Sequence, residues 1–208
     1  MRKLFSYVVD HDLGFAPNPF HGFCTLADCK FSSSGRKNIV ELAKQRDWIA
    51  GTGGLNPLSA GHGRLIYVMR VAEKSTLRDY WHDARFFGRA DNLPGFASCT
   101  TRFVLISKDF FYFGSNAIDT SSIPTKHLSH AFEKSGPGFR SDFSEGFISD
   151  FAEWLTKNYR AGVHGPPCGK PMMSWTALFR PPCRSTPCAA RSSRGSVFGS
   201  TTSGPRRT

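Results

Sequence analysis

Six side chains able to bind a metal, move a proton or attack an electrophile fall within twenty residues near the start of the chain: Asp10, His11, Asn18, His21, Cys24 and Cys29. A metal site would use His21, Cys24 and Cys29, with His11 or Asp10 as fourth ligand. The His-x2-Cys spacing suits that chemistry, but no second paired ligand set follows in the folded part, so no metal is expected. A thiolate mechanism would pair Cys24 with His11 or His21 and an orienting Asp10, because a thiol needs a neighbouring base to become a nucleophile. The competing reading is a buried cysteine with a loop-stabilising histidine. Asp10, His11 and Cys24 are therefore the catalytic candidates, and Asn18 and His21 are candidate polar edges of a binding site.

Three further segments carry chemistry. Tyr80-Trp81-His82-Asp83-Ala84-Arg85-Phe86 mixes aromatic faces with an acid, a base and a guanidinium, a combination suited to stacking on an extruded base and reading its edge. The plain alternative is a helix that packs Tyr80 and Trp81 inward and leaves His82, Asp83 and Arg85 in water. Gly51-Thr52-Gly53-Gly54 follows Trp48 on a strand and has the glycines of a phosphate cradle, yet it lacks the Gly-Lys-Ser/Thr of a P-loop and the full dinucleotide fingerprint. A tight turn explains it equally well. Gly138-Phe139-Arg140 points a cation at a phosphate or is a surface loop.

The elements that must position these groups are read from patterning. Residues 3–9 are β-branched and aromatic and read as a first strand, ended at Asp10-His11. The loop over 12–21 carries Pro17 and Pro19, which remove backbone donors. A short strand over 22–27 and a brief helix over 39–46 precede two strands, 47–54 and 64–71, expected to pair antiparallel. Thr76 caps a short helix to Asp83. Residues 102–107 and 110–114 read as a hairpin around Lys108-Asp109. Apolar Phe147, Ile148, Phe151, Trp154, Leu155 and Tyr159 recur at helical spacing, predicting a helix over 144–159 that closes one side of the sheet.

Composition bounds the class. A chain of 208 residues with 39% apolar and 21% charged residues has the material for one packed domain, and its 19 phenylalanines predict a core built from rings. The net charge of +11 is unevenly placed: the stretch from Gly165 onward supplies +7 of it and the first 164 residues carry +4. An electrostatic case for nucleic acid thus rests mainly on 165–208, which also holds seven of the 13 prolines and no sustained periodicity. The expectation is an α+β domain over 1–164 and a basic, Pro/Ser/Arg-rich disordered tail over 165–208. No signal-peptide core and no run of 18 apolar residues is present, so a cytoplasmic protein without a membrane partner is expected.

The run from Tyr7 to Ala27, Tyr-Val-Val-Asp-His-Asp-Leu-Gly-Phe-Ala-Pro-Asn-Pro-Phe-His-Gly-Phe-Cys-Thr-Leu-Ala, resembles the second type of nucleotide modification-associated domain. So do Asp47-Trp-Ile-Ala-Gly-Thr-Gly, Arg64-Leu-Ile-Tyr-Val-Met-Arg-Val, Tyr80-Trp-His-Asp-Ala-Arg-Phe and the segment from Leu105 to Gly114. The likeness runs from Lys3 to about Cys168. That family accompanies prokaryotic and phage systems that modify DNA bases, which implies a nucleic-acid or nucleotide partner and, as neighbours, DNA-modification enzymes. The order strand, glycine segment, strand and Tyr-Trp helix also looks like the small mixed or antiparallel β-barrels of the PUA, ASCH and EVE group. Such a barrel implies a base pocket bordered by Trp48, Thr52 and Gly53, faced by Tyr80–Arg85 and by the Asp10–His21 loop. Three readings follow: a module that recognises a modified base, an enzyme of base modification using a Cys/His/Asp site, or a structural subunit of a modification or defence complex.

Overall fold

Alternation along the opening strand decides the layering of the computed structural model, which describes residues 2–32, 36–126, 132, 134 and 137–169. In β1 (Leu4–Val9), Phe5, Tyr7 and Val9 enter one core and Leu4 enters another, as the two-residue repeat of a strand requires. The chain continues through β2 (Cys24–Leu26), α1 (Ile39–Leu42), β3 (Trp48–Gly53), β4 (Arg64–Arg70), β5 (Glu73–Thr76) and α2 (Leu77–His82). It then forms β6 (Phe103–Ser107), β7 (Asp109–Tyr112), β8 (Ile118–Asp119), β9 (Phe139–Arg140), α3 (Glu145–Asn158) and β10 (Gly162–Val163).

Among the described residues the strands build two sheets and no closed barrel, so the architecture is α+β. The larger has the order β10-β7-β4-β3-β1-β9 with β8 joined to β4, and the smaller is β2-β6-β5. β1 and β3 are parallel, and the connection between them is long, as a parallel pair demands. β3 and β4 pair antiparallel as their sequences predict. The two sheets bury a shared core: Phe5, Tyr7, Ile49, Met69 and Phe110 from the larger meet Cys24, Leu26 and Leu105 from the smaller. On the outer face of the larger sheet, Trp48, Ala50, Val68 and Phe111 lie under Phe147, Ile148, Phe151 and Leu155 of α3. Ser144 caps that helix, its Oγ accepting from Phe147 N at 3.2 Å. On the outer face of the smaller sheet, Val104 and Ile106 pack with Leu77, Tyr80, Phe86 and Phe96.

The expected hairpin over 102–114 does not form. β6 pairs with β2 and β5, while β7 pairs with β4 and β10, so the chain changes sheets at Lys108. A single residue separates the strands, too few for a two-residue hairpin turn. Ser107 makes the corner, its Oγ accepting from Asp109 N at 3.0 Å and donating to Asp109 O at 2.8 Å. The glycines of residues 51–53 are likewise strand rather than turn: Gly51 and Gly53 oppose Tyr7 and Val9 of β1.

After α3 the chain is pinned to the domain through Gly169. His164 N donates to Tyr112 O at 2.7 Å, Ser115 N to Pro166 O at 2.8 Å, and Gly169 N to Asp12 O at 2.9 Å. The buried Asp12 carboxylate accepts from Cys168 N at 3.1 Å and from the Tyr112 hydroxyl at 2.5 Å. Residues 170–208, on which most of the tail expectation falls, lie outside the described residues.

Candidate functional site

The chemistry-bearing residues of the first loop part company. Asn18 is buried, and its Nδ2 donates to Asp91 Oδ1 at 2.8 Å while its Oδ1 accepts from Phe20 N at 3.2 Å. Asp91 also accepts from the Thr25 hydroxyl and pairs with Arg89 Nε at 3.3 Å. The Arg89 guanidinium also donates to Phe20 O at 2.5 Å, Asn18 O at 3.0 Å and Thr25 Oγ1 at 2.9 Å. This closed network fixes the two-proline loop against β2. His21 stands exposed at the tip of that loop, in the left-handed region at φ 56°.

Cys24 is fully buried between the sheets, opposite Ser107. Burial pushes its thiol far up, Arg89 pulls it down, and Asp91 and Asp12 push it up further. The thiol is thus held protonated, the opposite of what a nucleophile needs. Beside it, the hydroxyls of Tyr7 and Tyr67 share a 2.8 Å hydrogen bond in the core, and burial raises both well above the ordinary tyrosine value. Cys168 is also shifted, pushed up to about 12 by burial and by Asp12.

The Tyr80–Arg85 segment lies on the far side of the smaller sheet. Tyr80 is buried, Trp81 is half-buried against the same cluster, and His82 is exposed. Arg85 forms a fork with Glu73, at 2.7 and 2.8 Å, and bonds Asp83 Oδ2 at 2.7 Å. Hydrogen bonding to Arg85 holds both carboxyls below their ordinary values. Depressed acids stabilise the fold above their ordinary values of 4.5 and 3.8, and the contribution is lost as the pH falls through the lowered ones. Arg85→Gln should therefore lower stability at neutral pH by no more than about 1 kcal/mol, because the group is exposed to solvent. In urea titrations the gap from wild type should narrow as the pH falls below the ordinary carboxyl values and through the lowered ones; a gap that stays constant throughout the acid range would refute the assignment.

Trp48 and Thr52 are buried, Trp48 under α3 and Thr52 with its hydroxyl donating to Tyr7 O at 3.3 Å. Gly53 presses on the Gly61 carbonyl, where a β-carbon would collide. Arg140 on β9 is engaged locally, paired with Asp142 at 3.0 Å and lying 4.8 Å from the Phe143 ring centroid.

What remains is a cleft at the carboxyl end of β1, about 360 Å³ in volume, lined by Val8, Asp10, Lys30, Gly54, Leu55 and His62 and by the Pro137-Gly138 turn. Three stitches build its floor: Ser59 Oγ donates to Val9 O at 2.5 Å and accepts from Gly54 N at 2.8 Å, and Asp12 N donates to Leu58 O at 2.9 Å. His11 Nε2 meets Asn56 Nδ2 at 3.0 Å on the same seam. The segment behind β1 thus folds against the loop behind β3. Gly54 gives the Asp10 carboxylate its seat, since a β-carbon there would strike Asp10 Oδ1 and come within 2.7 Å of Val8 Cγ1. Lys30, in the left-handed region at φ 61°, holds its ammonium 4.5 Å from the Tyr7 ring centroid. The side chains of Asp10, Lys30 and His62 have no hydrogen-bond or ion-pair partner among the described residues. Leu55, 85% exposed, supplies an apolar wall.

Of the residues singled out by sequence, Asp10, Gly54 and Gly138 line this cleft, with His11 on its seam. Lys30, Leu55 and His62 carry no pattern of their own beyond the Gly61-His62-Gly63 turn. Among the described residues no group of three His, Cys, Asp or Glu side chains is placed to hold a metal ion, and no helix is long and apolar enough to cross a membrane.

Neither a curated protein nor a solved structure matches the chain. The sequence pattern described as nucleotide modification associated domain 2 matches residues 1–97 and 96–176. That match takes in β1, β3 and every residue of the cleft, and the chain belongs to the nucleotide modification associated domain 2 family.

Proposed function

We propose that the domain is a recognition module that binds a nucleotide, free or within a strand, in the cleft at the end of β1. The observation that carries this reading is that three ionisable side chains without hydrogen-bond or ion-pair partners among the described residues, Asp10, Lys30 and His62, line one concavity beside an exposed leucine. Its volume falls within the roughly 300–1,000 Å³ usual for small-molecule sites. Lys30 and His62 suit a phosphate, Asp10 suits base N–H groups, and Leu55 suits the face of a base. The burial of Cys24 speaks against a thiolate enzyme, so recognition is the stronger reading.

The full chain should bind fluorescent single-stranded oligonucleotides, modified and unmodified, with an affinity that falls as salt rises. Lys30→Ala and His62→Ala should each weaken binding, by about tenfold for a lost charged phosphate contact. Absence of binding to every oligonucleotide and nucleotide tried would remove the proposal and leave a structural subunit as the role to test.

A further inference from the structure

The seat of Asp10 allows the ligand to be named more closely, on the reading just given. Its carboxylate lies against Gly54 at the end of β1, lines the cleft, and has no donor of its own among the described residues. A carboxylate is acceptor-only, with two oxygens able to take two parallel N–H bonds. Single-stranded or extruded bases are read on their Watson–Crick edges. Guanine alone among the common bases offers two adjacent donors there, N1–H and the N2 amino group. Adenine and cytosine set one amino group beside a ring-nitrogen acceptor, and uracil and thymine flank a single N–H with two carbonyls. Each of these brings at least one acceptor lone pair against the carboxylate, a repulsion that no cation paired with Asp10 among the described residues relieves.

We infer that the cleft selects guanine, with Asp10 taking its N1–H and N2–H, Leu55 against the ring face, and Lys30 and His62 on the nucleotide's phosphate. The Leu55 side chain has the exposure to meet a ring, being almost wholly in water. The two cationic or donor groups lie on the same cleft wall system as the acid, so one ligand with a donor edge and an anionic end satisfies all three.

Calorimetric titration of the full chain with the 5′-monophosphates of guanosine, inosine, adenosine, cytidine and uridine tests this. In parallel, single-stranded oligonucleotides of uniform flanks with one variable base test whether a strand must present the base. Guanosine monophosphate should bind about tenfold or more tightly than the adenosine, cytidine and uridine compounds, the discrimination a two-point contact supplies. Inosine monophosphate, which lacks the N2 amino group, should fall between. Asp10→Asn, of the same size and on an exposed side chain, should abolish the preference and leave residual phosphate-dependent binding. A preference seen in both arms supports a free nucleotide ligand, and one confined to oligonucleotides supports the same base held in a strand. Equal binding of all bases, or a guanine preference that survives Asp10→Asn, overturns the inference while leaving the cleft as a nucleotide site. Failure of every nucleotide and oligonucleotide to bind overturns the cleft reading itself.

Discussion

Replacing Asp91 by alanine should lower the stability of the domain by about 3–5 kcal/mol, the cost of leaving a buried charge without its partner. Arg89 and Asp91 have side chains only 2% and 0% exposed. Without Asp91, the Arg89 guanidinium keeps its bonds to the carbonyls of Phe20 and Asn18 but loses the one negative charge it is paired with among the described residues. Asn18 Nδ2 loses its acceptor in the same step. The balance is visible in Asp91 itself, whose carboxyl burial pushes up and Arg89, Thr25 and Tyr80 pull down. Urea denaturation followed by circular dichroism would read the loss as a lower midpoint at unchanged slope. The paired replacement Arg89→Met with Asp91→Leu should recover much of it, since apolar groups of similar volume often replace a buried ion pair without loss. A drop below about 1 kcal/mol for Asp91→Ala, in the range of a surface pair, would mean that the guanidinium reaches water and the network does not hold the loop.

That network also shows which parts of the molecule the sequence made legible. Local periodicity located β1, β3, β4 and α3 to within a residue or two, because each has a face whose burial is written into its own spacing. Thr76 was readable as a cap for the same reason: the bond it makes lies three residues away. The role of Asn18 was not readable, since its partner Asp91 is 73 residues distant and nothing in either segment announces the other. Cys24 looked like a nucleophile beside two histidines, yet it belongs to a strand with both faces covered, while His11 and His21 are exposed. The hairpin over 102–114 was misread because alternation gives the faces of a strand and not the sheet it joins. At the cleft, Asp10 followed from its place at a strand end, but Lys30 and His62 arrive from loops whose course only the folded chain fixes.

Gly51 supplies the second large effect: a single methyl group there, Gly51→Ala, should cost about 3 kcal/mol, at the upper end of what overpacking a close-packed core does. Gly51 sits in the middle strand of three, opposite Tyr7 of β1 and Tyr67 of β4. The two tyrosines lean over it to share their hydroxyl bond, ring centroids 6.1 Å apart and planes at 74°. A β-carbon at residue 51 would collide with the Tyr67 ring and lie 2.6 Å from Val9 Cγ2, both in the core between the sheets. The glycine is thus space for an aromatic pair rather than part of a phosphate cradle or a tight turn, and its φ is not in the left-handed region that would make it a conformational requirement. A double-mutant cycle separates crowding from any intrinsic cost of alanine in a strand. Tyr67→Ala alone should cost about 3–5 kcal/mol through the cavity it leaves. Gly51→Ala added to it should cost clearly less than in the wild type, because the ring it meets most closely is gone and only the contact with Val9 Cγ2 remains. If the two losses instead add in full, the methyl is not meeting the Tyr67 ring, and the glycine is held for a reason other than room.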